Sequence, residues 1–150
     1  METELVLELP NDLRQIEHAV EYVMERCSAC QAQGRKLRLN FRVSLTEALS
    51  NAMLYGNARD PHKRVRVEVV VGPRKITAKI TDEGPGFDPG EVPDPTEPEN
   101  LEKGGGRGLF LMRELMDEVR YNERGNQVTL VLRLDSEVAE GDADEGAAGA

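Results

Sequence analysis

The sequence predicts an α+β fold in two layers, a mostly antiparallel sheet with helices on one face. Three observations carry that expectation. Two strictly alternating runs, Val65–Val71 and Ile76–Ile80, stand on either side of Gly72-Pro73, which is how an antiparallel hairpin reads. Three other stretches repeat apolar residues at three- and four-residue steps, as amphipathic helices do. The 150 residues fit one domain with a core of its own, without disulfide or metal staples. Hairpin strands beside segregated helices favour α+β over an alternating, parallel α/β arrangement.

Taken in order, Thr3 to Leu9 alternates with Leu5, Leu7 and Leu9 on one side, a half-buried strand. Pro10-Asn11-Asp12 breaks it and offers a helix cap. Leu13, Ile16, Val20, Val23, Met24 and Cys27 then mark an amphipathic helix ending near Gly34. A second helix is expected from about Asn40 to Tyr55, stopped by Gly56-Asn57, which tolerate a left-handed backbone, and by Pro61. The hairpin follows. Asp82 to Gly90 is turn chemistry, and Glu91 to Lys103 is Pro- and acid-rich, a loop. Leu109, Met112, Leu115, Met116 and Val119 mark a third helix, Tyr121 begins a short strand, and Val128, Leu130, Leu132 and Leu134 alternate as the last one.

Composition narrows the function. The net charge is −9, but the last sixteen residues hold six acidic and no basic groups, so residues 1–134 carry only −3. Residues 135–150 read as a disordered acidic tail behind a domain of residues 1–134. No basic block stands out, which argues against direct nucleic-acid binding. No run approaches the roughly 18 apolar residues of a membrane span, and the acidic Met1-Glu-Thr-Glu start lacks a signal-peptide pattern. The expectation is a cytoplasmic protein. Cys27-Ser-Ala-Cys30 lies late in the first helix with no second pair. It reads as ordinary packing or a partly exposed thiol sooner than as a redox or zinc motif. His18 and His62 have no ligand cluster and read as surface residues.

Three segments carry chemistry. In Glu47-Ala-Leu-Ser-Asn51-Ala-Met-Leu-Tyr55-Gly-Asn57, the four-residue spacing of Glu47 and Asn51 sets both polar groups on one helical face. Asn51 can lend an oxygen to Mg²⁺, which takes few protein ligands beside phosphate oxygens and water. Glu47 can take the proton from a hydroxyl attacking a terminal phosphate. Alone, the pair reads first as a solvated helix face. Asp82-Glu-Gly84-Pro-Gly86 follows a strand, where an Asp can accept a hydrogen bond from the exocyclic amine of adenine and glycines permit close approach. Alone, it is a Gly/Pro turn. Gly104-Gly-Gly106-Arg107-Gly108-Leu109 precedes a helix, whose N-terminal N–H groups suit phosphate. It lacks the Gly-Lys-Ser/Thr of a P-loop, and alone it reads equally as a flexible linker.

Together, in this order, the segments resemble the N, G1 and G2 boxes of the GHKL ATPase superfamily, which includes gyrase, Hsp90, histidine kinases and MutL. The resemblance spans Phe41 to Leu134. The short lid and the ending Gly-Arg-Gly-Leu-Phe-Leu-Met look most like the anti-sigma-factor serine/threonine kinases. That resemblance implies a Bergerat sandwich with a mixed, mostly antiparallel sheet, bound ATP and Mg²⁺, and phosphorylation of Ser or Thr on an anti-anti-sigma (STAS-domain) protein. It also implies capture of a sigma factor, regulation of transcription and a homodimer. By position Glu47 is the general base and Asn51 the magnesium ligand. Asp82 holds adenine in a pocket shaped by Gly84 and Gly86. Gly104, Gly106 and Gly108 wrap the phosphates, with Leu109 beside them, Arg107 is placed to meet a phosphate oxygen, and Asp88 to Lys103 is the lid.

Where relatives often carry Gly-Thr before the last strand, Gly125 is followed by Asn126, so a third contact there is not expected and Thr129 reads as a strand residue. Tyr55 stands where many relatives carry His, either near the nucleotide or packed at the core or rim. The alternative reading is a nucleotide-binding module that captures partners without kinase activity. A histidine-kinase catalytic domain would need a helical hairpin with a phosphoacceptor His. A gyrase- or Hsp90-type ATPase would need a transducer domain.

Overall fold

Among the described residues, ten elements build one sheet and the helical layer that covers it. The computed structural model describes residues 3–27, 34–86 and 106–134. Strand β1 (Thr3–Pro10) is followed by a 3-10 turn (Leu13–Gln15) and helix α1 (Ile16–Arg26). Helix α2 (Arg35–Asn51) runs on into a π turn (Ala52–Gly56). Strands β2 (Arg64–Val71) and β3 (Lys75–Thr81) form the hairpin, and helix α3 (Gly106–Leu115), β4 (Glu118–Tyr121) and β5 (Gln127–Arg133) complete the fold.

The sheet order is β1-β2-β3-β5-β4, and every neighbouring pair among the described strands is antiparallel. The expected parallel component is therefore absent from the described ladders, for a topological reason. β4 does run in the same direction as β3, as a strand reached through one helix must. However, β5 is inserted between them and pairs with both. The chain passes from β1 to β2 through two helices, so that a reversal at each of the three connections leaves those strands antiparallel.

Alternation decides the buried face. Val65, Val67, Val69 and Val71 of β2, Ile76, Ala78 and Ile80 of β3, and Val128, Leu130 and Leu132 of β5 point into one core. Leu5, Leu7 and Leu9 of β1 pack against it, as their spacing predicts. The helices close it with Ile16, Ala19, Val20, Val23 and Met24 of α1, Phe41, Leu45, Ala48 and Leu49 of α2, and Leu109 and Met112 of α3. The opposite sheet face carries Glu8, Arg66, Glu68 and Lys79, and Thr129, opposite Lys79, lies on that face. Thr129 is a strand residue, as expected.

Local chemistry explains the boundaries. Asp12 caps the 3-10 turn, its carboxylate accepting from the Arg14 N–H at 3.0 Å. α1 stops at Arg26, well short of Gly34. α2 begins at Arg35, earlier than the apolar periodicity shows, because its first turns are charged helix formers with exposed faces. At its other end the Asn57 N–H bonds to the Ala52 carbonyl at 2.7 Å, so the last turn is a π turn. Ala58 and Arg59 then adopt φ of 52° and 62°, the left-handed backbone that reverses the chain. Among the described residues, no helix is long and apolar enough to cross a membrane.

Phe41 is fully buried where α2 meets the other helices and the sheet. Phe41→Ala is expected to lower the unfolding free energy by about 3–5 kcal/mol in urea titration. A loss under about 1 kcal/mol would mean that this face of α2 is not core.

Candidate functional site

Helix α2 supplies the first two groups. Glu47 and Asn51 lie on one face of its last two turns, both half-buried. Helix α3 starts directly against them. A Cβ on Gly108 would stand 2.8 Å from Asn51 Nδ2 and 2.8 Å from Glu47 Oε1, so the first turn of α3 touches both polar groups through a residue without a side chain. Leu109 and Met112 anchor the inner side of α3 in the core. Its far end is tied to α2 as well, the Asn40 side-chain amide donating to the Leu115 carbonyl at 3.2 Å. Among the described residues, neither the Glu47 nor the Asn51 side chain forms a hydrogen bond or ion pair. A carboxylate and an amide thus stand unengaged beside a helix N-terminus, whose N–H groups and dipole favour phosphate.

The turn after β3 supplies the third group. The Asp82 N–H bonds to the Asn126 carbonyl at 2.9 Å, and Asp82 Oδ1 accepts from the Gly84 N–H at 2.8 Å. The turn sits so close to the end of α2 that side chains are excluded on both sides. A Cβ on Gly84 would lie 1.7 Å from the Gly56 carbonyl oxygen, and one on Gly56 would lie 2.1 Å from Asp82 Oδ2. Gly86 has φ of 87° and backs onto the Arg124 carbonyl. Burial pushes the Asp82 carboxyl above its ordinary range, against the opposing pull of the Gly84 N–H and the Lys63 charge. Tyr121 is half-buried, and its phenol is pushed up to about 12, first by burial and then by the Asp82 charge, so β4 brings it into the electrostatic range of that carboxylate.

Of the residues singled out by sequence, Glu47, Asn51, Gly108 and Leu109 come together at the α2–α3 contact, and Asp82, Gly84 and Gly86 in the turn beside the end of α2. Gly106 opens α3, with Arg107 in its first turn. The Arg107 guanidinium, Gly104 and the expected lid, Asp88 to Lys103, lie outside the described residues, as does the tail 135–150. Tyr55 is half exposed on the π turn, at the rim. His18 and His62 are exposed, as expected. Cys27 corrects an expectation: it is fully buried and takes part in a disulfide, so it is not a packed or partly exposed thiol. It also lies past the end of α1, with φ of −99° and ψ of 84°, outside the helical geometry assumed for it. Cys30 is outside the described residues.

Three residues were missed as parts of the site. Gly56 and Asn57 read only as a helix stop, and Tyr121 only as a strand residue. Nothing in the local pattern marks them for this site, because the groups they meet there, Asp82, Glu83 and Gly84, lie more than twenty residues away. Among the described residues no group of three or more His, Cys, Asp or Glu side chains could hold a metal by itself. Two cavities lined by described residues, of about 500 and 310 Å³, include none of Glu47, Asn51 or Asp82.

Residues 8–132 match the family described as "Histidine kinase-like ATPase domain". The chain is similar to a Serine-protein kinase RsbW of Oceanobacillus iheyensis, 27% identical over 111 residues that cover 70% of this chain and 68% of that one. A Serine-protein kinase RsbW of Listeria monocytogenes is 25% identical over 114 residues, 69% of this chain and 71% of that one. An Anti-sigma F factor of Oceanobacillus iheyensis is 31% identical over 96 residues, 60% of this chain and 65% of that one.

The two glycine contacts differ in kind, and so should their variants. Gly84→Ala meets a backbone carbonyl and is expected to cost about 3 kcal/mol of stability. Gly108→Ala meets only side-chain ends and should cost less than about 1 kcal/mol while displacing Glu47 and Asn51. Equal losses in chemical denaturation would contradict this geometry. Asp82→Asn keeps an acceptor for the Gly84 N–H but cannot ionise. The folded-state pKa of Asp82 lies above the unfolded value of 3.8, so its contribution is present below that pH and is lost as pH rises through the raised value. The asparagine variant is therefore expected to gain on wild type as pH rises from 4 to 7. A gap that stays constant over this range in urea unfolding would rule out the raised pKa.

Proposed function

The chain belongs to the histidine kinase-like ATPase domain family, and from that membership we propose that it is an ATP-dependent serine/threonine protein kinase and anti-sigma factor. Its protein substrate would be an anti-anti-sigma protein of the STAS class, and its captured partner a sigma factor. The names of its relatives, serine-protein kinase and anti-sigma F factor, support that reading. The observation that carries the chemistry is the contact of Gly108 with both Glu47 and Asn51. It brings a proton acceptor and a neutral oxygen donor to the N-terminus of α3, which suits phosphate.

The residues fit Mg-ATP. Asp82 presents a carboxylate to the exocyclic amine of adenine, while its other oxygen is held by the Gly84 N–H. Gly106, Gly108 and the N–H groups of the first turn of α3 take phosphate oxygens, with Gly104 and Arg107 as further candidates and Leu109 anchoring the turn from below. Asn51 would lend a neutral oxygen ligand to Mg²⁺, beside phosphate oxygens and water. When bound, the ion neutralises charge developing on the phosphates.

In the reaction the hydroxyl oxygen of a substrate Ser or Thr attacks the terminal phosphorus. The P–O bond to ADP breaks, and Glu47 accepts the hydroxyl proton. The catalytic domain is the stretch 1–134, and 135–150 is the acidic end of the sequence. The setting is the cytoplasm, and the working unit is a homodimer that acts on transcription through the sigma factor.

The test is transfer of labelled phosphate from Mg-ATP to a purified STAS-domain protein. Glu47→Gln is expected to reduce transfer by about 10²–10⁴-fold and to leave Mg-ADP affinity, read by calorimetry, within about threefold of wild type. Transfer that survives the substitution would remove Glu47 from the chemistry. A wild-type chain that binds Mg-ATP and a sigma factor but phosphorylates no STAS protein would make it a nucleotide-dependent capture module.

A further inference from the structure

Asn57 is fully buried, and every hydrogen-bonding group of its side chain is used. Its amide nitrogen donates to Asn11 Oδ1 at 3.2 Å and to the Arg64 carbonyl at 3.0 Å. Its amide oxygen accepts from the Glu83 N–H at 2.8 Å. Its backbone N–H bonds to the Ala52 carbonyl, and its own carbonyl accepts from Asp60. One side chain therefore joins three places: the segment after β1, the start of β2 and the turn after β3. Only the last of these bears on ligand, because the Glu83 N–H is the amide that follows Asp82.

We propose that Asn57 is a positioning residue for base selection, holding the Asp82–Gly84 turn against the end of α2 so that Asp82 meets a purine carrying an exocyclic amine. The inference rests on the reading of Asp82 as the adenine acceptor and adds to it the residue that sets its place. Four hydrogen bonds fix the turn. The Asn126 carbonyl accepts from the Asp82 N–H, Asp82 Oδ1 accepts from the Gly84 N–H, the Glu83 carboxylate accepts from the Arg64 N–H at 2.8 Å, and Asn57 Oδ1 accepts from the Glu83 N–H. The first two leave the turn free to swing on the end of β3, since Gly84 and Asp82 belong to the turn itself and Asn126 grips only its root, and the third holds it through an exposed side chain, whereas Asn57 holds its backbone. Asn57 ties it to a different element, the end of the helix that carries Glu47 and Asn51. The Gly56 carbonyl lies against the position of a Gly84 Cβ, which limits movement in the other direction. Together these contacts define the distance between the base end and the phosphate end of the site.

Asn11 separates this role from plain scaffolding. Its amide donates to the Met53 and Asp60 carbonyls at 3.2 and 3.0 Å, and its oxygen accepts from Asn57. Removing it weakens the same network but leaves the Asn57–Glu83 hydrogen bond in place.

The experiment measures binding of Mg-ADP and Mg-IDP to the full chain by calorimetry, for wild type, Asn57→Ala and Asn11→Ala, each at a temperature where unfolding curves show it fully folded. IDP carries an oxo group where ADP carries the amine. Inorganic tripolyphosphate, which has no base, serves as the phosphate-end control. Asn57→Ala is expected to lose about tenfold of the preference for ADP over IDP and to bind tripolyphosphate as wild type does. Asn11→Ala should lose stability and keep the preference. If Asn57→Ala does not fold, Asn57→Ser is read in its place, since it is smaller, still polar and too short to reach the Glu83 N–H. A folded Asn57 variant with wild-type preference overturns the inference, as does an Asn11→Ala chain that loses the preference equally. A wild-type chain that binds ADP and IDP alike overturns instead the adenine role of Asp82 beneath it.

Discussion

The close approach of two chain turns, Gly56–Asn57 at the end of α2 and Asp82–Gly84 at the end of β3, sets where the rest of the site stands. The positions that a Cβ would take on Gly56 and Gly84 are filled by Asp82 and by the Gly56 carbonyl. Contact this tight needs glycine on both sides, and it needs the helix to end in a particular way. The π turn over Ala52–Gly56 and the left-handed Ala58 and Arg59 provide that ending. They turn the chain so that Asn57 enters the interior and not solvent. π turns within helices commonly mark functional positions, and here one lies directly after Asn51.

Two opposite electrostatic demands are met within one small volume. At the α2–α3 contact, unengaged polar groups face the positive end of a helix, which suits an anionic ligand. At the β3 turn, a carboxylate is held partly out of water, where its charged form is disfavoured, and a nearby phenol is pushed further from ionisation by that charge. The core and the candidate site thus draw on different faces of the same helix, since α2 gives Phe41, Leu45 and Leu49 to the core and Glu47 and Asn51 to the candidate site.

Much of the fold was legible because it depends on periodicity. The alternation of Val65 to Val71 and Ile76 to Ile80 gave the hairpin and its buried face, and the three- and four-residue steps gave three helices. The boundaries were less legible. α2 starts five residues earlier than its apolar pattern, because Arg35, Lys36 and Arg38 favour helix without burying anything. α1 ends before Cys27, whose disulfide the expected helical placement of Cys27-Ser-Ala-Cys30 argued against. The expected mixed sheet became an antiparallel one among the described strands, because the order β3-β5-β4 depends on where the last hairpin inserts.

The sequence alone determined the chemical types and their order: a carboxylate and an amide one helical turn apart, an Asp in a glycine turn after a strand, and glycines opening a third helix. Those are local patterns, and four-residue spacing suffices to set Glu47 and Asn51 on one face. The tertiary structure decided what touches what. That Gly108 meets Glu47 and Asn51, that Gly56 meets Asp82 and Gly84, that Tyr121 comes within reach of Asp82, and that Asn57 joins three segments all depend on contacts between residues far apart in the chain. Such contacts follow from how the layers pack, and packing is a property of the whole core that no short window of residues contains.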